Sequence, residues 1–188
     1  MNYHFLLASL PHLPHFDRIK ALPIGQAQLA QRLALLSAPD QALLAQVRRR
    51  LWPWRQEFAA IPPQDIALRR TAAAIIAEQD DIRHGFALAR AQRLGRAVAM
   101  PAHVPAWLSL AQQLLESGDA IALERLRLER LWRRLDALAN DHAFDIEAVL
   151  IVVCRWDIAN QWFAGDGVRA RTRLHALAAD VHERAEAA

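Results

Sequence analysis

Hydrophobic residues recur along this chain at three- and four-residue spacing, the pattern of amphipathic α-helices. The spacing predicts helices over Ile24–Leu36 and Ser37–Trp52, the second starting with a Ser-x-x-Asp capping pattern. Pro53 should end that second helix, because proline cannot continue the helical hydrogen-bond ladder. A long helix is predicted over Asp65–Arg96, and the sequence leaves open whether it breaks near His84-Gly85.

The second half of the chain predicts a short helix over Trp107–Glu116 and a long one over Ala120–Asn140, with Asp119 as its N-cap. Asp145 should cap a following helix whose apolar run, AVLIVVC, suits a central position. A final amphipathic helix is predicted after residues 165–167. The stripe expected to be buried on the Ala120–Asn140 helix comprises Ile121, Leu128, Leu131, Trp132, Leu135 and Leu138.

Composition supports an all-α fold, because glycine is scarce, with 6 residues, and 54% of the chain is hydrophobic. A length of 188 residues fits a single helical domain that spans the whole chain. We expect a compact bundle of about six to eight helices. The N-terminal stretch Tyr3–Leu10 should be a buried segment that packs against the C-terminal helices.

No stretch approaches the roughly 20 apolar residues that a membrane-spanning helix needs. The apolar N-terminal run has no basic residue before it, so a secretion signal is not expected. The single cysteine, Cys154, excludes an internal disulfide framework and fits a reducing compartment. We expect a cytoplasmic protein, and peripheral attachment to the inner face of the membrane stays open.

Charge gives only a weak guide to partners, since 23 Lys+Arg against 20 Asp+Glu leave a net charge of +3. Most arginines alternate with acidic residues, as on a solvated helix face, and this does not favour nucleic acid as a partner. Arg48-Arg49-Arg50 is the one acid-free run. It either complements the dipole at a helix C-terminus or contacts an anionic partner, such as a lipid headgroup or nucleic acid.

Catalytic motifs are absent from the sequence: it has no Gly-rich phosphate loop, GxSxG or HExxH. Asp80-Asp81 with His84 is the best acid/base candidate, since Asp80 and His84 are one helical turn apart. His12 and His15 alone would rarely hold zinc, so we expect neither a metal nor a cofactor. Cys154 lies within an apolar run and should be a core residue and not a nucleophile.

Six tryptophans in a helical chain of this size suit either a core or a surface that binds partners. Together with arginines on predicted helix faces, some of them are candidate anchors for a partner. The candidate partner-contact residues are Arg48, Arg49, Arg50, Trp52, Trp54, Arg133 and Arg134.

The two ends of the chain resemble a known family. The opening YHFLLASLPHL resembles the start of an uncharacterised bacterial family encoded in V-type ATP synthase operons, which is similar to the C subunit of V/A-type ATPases. Leu123–Trp162 also matches that family, through a W-x-x-LD motif at Trp132–Asp136, the pair Phe144-Asp145, and an apolar helix that ends near a tryptophan. The chain departs from the family pattern at Val152, Arg155 and Asn160-Gln161, where Tyr, Lys and Glu-Arg are typical.

The resemblance implies a non-catalytic, all-helical accessory or connector protein of a proton- or sodium-translocating ATPase. Its implied partners are other proteins of that ATPase, namely those of the central stalk and the membrane rotor ring. Two other interpretations stay open: a helical regulator that binds nucleic acid through Arg48-Arg49-Arg50, and a small helical enzyme that uses Asp80, Asp81 and His84.

Overall fold

The computed structural model describes residues 3–62, 68–96 and 107–164 of the chain. Within these ranges it contains eight α-helices, one short 3-10 turn at Phe16–Arg18 and no β-strand, which confirms the all-α fold. The helices are α1 Tyr3–Ser9, α2 Gln26–Leu33, α3 Ala38–Leu51, α4 Gln56–Ala59, α5 Arg70–Arg93, α6 Leu108–Ser117, α7 Ala120–Ala139 and α8 Ile146–Ala164. The predicted final helix, and the predicted start of the long helix at Asp65, lie outside the described residues.

Helix α8 is the central element of the fold. Its residues are apolar on most sides, and Val149, Leu150 and Val153 are all at most 1% exposed. It packs along α7 and also contacts α1, α3 and α5. One hydrophobic core takes side chains from all eight described helices. Cys154 is buried in that core, as the sequence predicts.

The N-terminal stretch packs against the C-terminal helices, as predicted, but of Tyr3–Leu10 only Leu6 and Leu10 are fully buried, because α1 presents its other side to solvent. Helix α1 contacts α8, and Leu6 is 1% exposed. The Tyr3 hydroxyl donates to Asp40 Oδ2 at 2.8 Å, and the His4 ring stacks on Phe144 with the centroids 3.9 Å apart. Hydrogen bonds and ring contacts at its start therefore add to the apolar burial of α1.

Helix α5 runs without a break through His84-Gly85, and at Gly85 the start of α6 packs closely against it. A Cβ atom placed at Gly85 would lie 2.7 Å from Trp107 Cβ and 3.1 Å from the Trp107 carbonyl carbon. The glycine therefore serves close packing between two helices and does not end one.

Helix starts follow the predicted caps. Asp119 accepts from the backbone N–H groups of Ile121 and Ala122, and Asp145 Oδ1 accepts from the Ala148 N–H at 2.7 Å. The stripe predicted for α7 is buried at Leu128, Leu131, Trp132 and Leu135, and partly buried at Leu138. The prediction for Ile121 is wrong: its side chain is 45% exposed, because the first turn of α7 borders an open groove.

We expect Leu6→Ala to lower the free energy of unfolding by about 2–5 kcal/mol, because it leaves a cavity between α1 and the core. Phe5→Ala is the matched control, since that ring is 67% exposed and its loss should cost no more than about 0.5 kcal/mol. Urea unfolding followed by circular dichroism measures both. Equal effects of the two substitutions would mean that α1 is not anchored through Leu6.

Gly85→Ala should destabilise the protein by about 1–3 kcal/mol, because the added methyl group forces α5 and α6 apart. In a helix without that contact, the same substitution would stabilise by about 0.5–1 kcal/mol. His84→Ala, at the neighbouring exposed position, is the control and should leave the melting temperature nearly unchanged. A Gly85→Ala variant more stable than the parent would contradict the close approach at Trp107.

Candidate functional site

The predicted partner-contact residues do not form one surface. Trp52 is 1% exposed, and Arg48 forms a buried ion pair, which corrects the prediction for both. Trp54 is 51% exposed and Arg50 is exposed, while Arg49 is half-buried. Trp54 is therefore the predicted aromatic anchor that a partner can reach.

Arg48 binds Asp157, a residue of α8 with no exposed surface. Its Nε donates to Asp157 Oδ2 at 2.7 Å and its Nη2 to Oδ1 at 2.6 Å, a bidentate geometry. Arg55 Nη1 lies 3.9 Å from the same carboxylate, and both guanidinium groups lie over the Phe58 ring. Burial raises the pKa of Asp157, and the charge of Arg48 opposes that rise. This arrangement serves the fold, not a partner.

Trp54 marks a different place, where the α3–α4 turn meets α5 and α7. The Arg83 guanidinium lies 5.6 Å and the Arg127 guanidinium 5.4 Å from the centre of the Trp54 ring, within cation–π range. Arg127 also lies 5.5 Å from the buried Trp52 ring, which contacts Trp54 edge-on. Trp52 and Trp54 of the WPW sequence thus form a small aromatic and cationic unit with Arg83 and Arg127.

The unit opens onto a groove of about 520 Å³ between α5 and α7, which we call the Trp54 groove. Its charged lining residues are Arg83, Arg90, Arg127 and Glu124. Its apolar lining residues are Trp54, Ile82, Phe86, Leu115, Ile121, Leu123 and Trp162. The groove is therefore a mainly apolar surface with more positive than negative charge.

The arginines of the Trp54 groove differ in how far they are already paired. Arg127 is 8% exposed and binds Glu124 through Nε at 2.9 Å and Nη2 at 2.6 Å. Arg83 donates to the Leu51 carbonyl at 3.2 Å and lies 3.5 Å from Asp80. Arg90 is exposed and donates to the Phe86 carbonyl. Arg90 and Arg83 are thus the cations best placed to meet a carboxylate from outside.

Partial burial makes the positive charge of Arg83 costly. Burial lowers the pKa of the Arg83 guanidinium, Asp80 opposes that change, and the charge of Arg127 adds to it. A cation in that setting is stabilised by an additional negative charge. The Trp54 groove therefore combines an apolar lining with a cation that a further negative charge would stabilise.

The remaining candidates lie elsewhere. Arg49 and Arg50 line a separate, more polar cleft that also includes Arg83 and Asp80. Arg133 is exposed and pairs with Glu129 one turn earlier on α7, as predicted from their spacing. Arg134 is half-buried. Neither Arg133 nor Arg134 lines the Trp54 groove.

The candidate acid/base residues Asp80, Asp81 and His84 all lie on α5. Asp80 pairs with Arg83, and His84 is exposed on α5. His12 and His15 are also exposed. Burial raises the pKa of the Cys154 thiol, so that side chain stays protonated and is a poor nucleophile.

Sequence reasoning missed most of the Trp54 groove. Arg83, Phe86 and Arg127 belong to α5 and α7, and only the packing of those helices brings them to Trp54. Ile121 gave no separate signal, because as the apolar residue that begins the α7 stripe it was predicted to be buried.

Comparisons with protein-family models, with curated proteins and with solved structures find no match to this chain. Among the described residues, no helix has both the length and the hydropathy needed to cross a membrane.

We expect Arg48→Ala to lower the free energy of unfolding by about 3–5 kcal/mol, since it leaves the Asp157 carboxylate buried without its partner. Arg49→Ala, one position along α3, should cost no more than about 0.5 kcal/mol. The double variant Arg48→Met, Asp157→Leu should be more stable than Arg48→Ala, because no charge is left buried. Chemical denaturation of the four proteins measures this, and equal losses for Arg48→Ala and Arg49→Ala would contradict it.

Proposed function

We propose that this protein is a non-catalytic accessory or connector component of a V/A-type proton- or sodium-translocating ATPase, similar to the C subunit of such enzymes. We also propose that it binds a neighbouring protein of the assembly through the Trp54 groove. The groove is the observation that carries the binding role. It exposes an indole against two guanidinium groups on an otherwise apolar surface. Tryptophan and arginine are among the residues most often found at energetic hot spots of protein interfaces.

The resemblance at the two ends of the chain supports the ATPase context. These segments meet in the fold, since α1 packs on α8 and the Phe16 ring lies 5.8 Å from Trp132 and 6.0 Å from Trp162. Asp136 of the W-x-x-LD motif pairs with Arg155, the residue at the position where the family has Lys. The Arg155 guanidinium in turn lies 5.8 Å from the Trp132 ring centre. The two segments that carry the resemblance thus pack on each other.

The partner that best fits the Trp54 groove is an amphipathic helix of a stalk or rotor protein. Its apolar side would contact Phe86, Ile121 and the Trp54 indole. A carboxylate at the edge of that side would meet Arg90 or Arg83, because Arg127 is already paired with Glu124. Such a helix would place the protein on the cytoplasmic side, at the inner face of the membrane.

The test is affinity purification from native membranes, with bound proteins identified by mass spectrometry. The unsubstituted protein should retain stalk or rotor proteins of a V/A-type ATPase. Trp54→Ala and the charge reversal Arg90→Glu should each reduce that recovery at least tenfold. Leu35→Ala removes a 54% exposed leucine that does not line the groove, and it should leave recovery unchanged.

Different outcomes separate the two parts of the proposal. If no stalk or rotor protein is recovered with the unsubstituted protein, the ATPase role is wrong. If these proteins are recovered equally with Trp54→Ala and Arg90→Glu, the groove is not the contact. A dimer of this chain that Trp54→Ala dissociates would assign the groove to a second copy instead.

A further inference from the structure

A second cluster of polar side chains surrounds His142, on the turn between α7 and α8. Its Nδ1 lies 2.8 Å from Asp145 Oδ2, and its Nε2 lies 2.9 Å from Glu147 Oε2. The hydroxyl of Thr71, a buried residue of α5, lies 3.0 Å from the same Nε2. The side chains of His142 and Glu147 are 18% and 13% exposed and that of Asp145 is 44% exposed, so the imidazole is largely shielded while the cluster stays open to water on the Asp145 side.

The cluster needs a cation. A neutral imidazole carries one N–H, yet both ring nitrogens of His142 face a carboxylate oxygen. If Nδ1 donates to Asp145, the lone pair of Nε2 points toward the negative oxygen of Glu147. That arrangement is repulsive unless a proton or a metal ion lies between the two atoms.

We propose that His142 and Glu147 bind a divalent transition-metal ion of the zinc class, which lies between His142 Nε2 and the Glu147 carboxylate. One potential ligand atom from each of His142, Asp145 and Glu147 lies within 4.8 Å of the other two. Zinc binds imidazole nitrogen and carboxylate oxygen at about 2.0–2.2 Å. Magnesium and calcium prefer oxygen ligands alone, so the imidazole selects against them.

Asp145 acts as a positioning residue in this site. Its Oδ1 accepts from the Ala148 N–H at the start of α8, which leaves Oδ2 to hold the Nδ1–H of His142. A metal-binding histidine commonly donates its other ring N–H to a carboxylate, which fixes the tautomer and turns the free nitrogen to the metal. Two carboxylates and a neutral imidazole also give the site a charge that a divalent ion balances.

The Thr71 hydroxyl supplies a further oxygen from a different helix. A bound ion would therefore connect α5 to the α7–α8 turn and stabilise the folded protein by ligand binding. Water molecules would complete the coordination of the ion. This site is independent of the Trp54 groove and of the proposed ATPase role.

The experiment uses the full chain without an affinity tag, stripped of metal with EDTA and titrated with zinc chloride by calorimetry. One equivalent should bind, and a thermal melt should show a higher midpoint with zinc than without. Glu147→Gln keeps the shape and a hydrogen-bond acceptor, and it should weaken binding at least tenfold. Asp145→Asn keeps a good helix cap and should weaken binding by about 10–100-fold without abolishing it.

Two controls separate this site from adventitious binding. Asp141→Asn changes an exposed neighbouring carboxylate, and the double variant His12→Ala, His15→Ala removes two exposed imidazoles. Both should bind zinc like the unsubstituted chain. The proposal fails if zinc does not bind, if Glu147→Gln binds equally well, or if binding is lost with His12 and His15.

Discussion

The buried ion pair between Arg48 and Asp157 is the constraint around which the helices of this protein are arranged. Asp157 lies on α8, the most apolar helix of the core, and a carboxylate there requires a cation inside the protein. Arg48 on α3 supplies it, Arg55 lies close by, and Phe58 of α4 offers its ring to both guanidinium groups. Side chains of α3 and of the α4 segment thus converge on one carboxylate of α8. A buried ion pair of this kind adds little net stability, because the cost of burying two charges offsets their attraction.

The same ion pair also affects which side chains at the C-terminus of α3 stay accessible to a partner. Arg48 points inward, and the chain then turns at Pro53 and buries Trp52 while Trp54 stays exposed. The Arg127 guanidinium contacts both indoles and is paired with Glu124, so it packs against the α3–α4 turn on the protein side. The exposed indole therefore packs on a buried indole and on a paired guanidinium group. A preorganised aromatic residue of this kind loses little conformational entropy when a partner binds.

Local chemistry was predictable from sequence, whereas of the contacts between distant segments only the packing of the N-terminal stretch on the C-terminal helices was predicted. The caps at Asp119 and Asp145 depend only on neighbouring backbone groups, so they could be predicted. The burial of α8 could also be predicted, because its run of apolar residues is visible in the sequence. The basic run Arg48-Arg49-Arg50 looked uniform, yet one member is bound to a residue 109 positions away. No local pattern contains that information. The Trp54 groove was hidden for the same reason, since its cations come from α5 and α7.

The exposure of Trp54 also has an optical consequence. The Trp52, Trp107, Trp132 and Trp156 indoles are buried and screened from dissolved quenchers, and Trp162 is partly buried. Trp54 is half-exposed beside two guanidinium groups, which would draw a small anion such as iodide toward its ring. An anionic quencher should therefore reduce the fluorescence of Trp54 more than that of the other tryptophans. The protein carries a native reporter at the mouth of its groove, and occupancy there can be followed without any label.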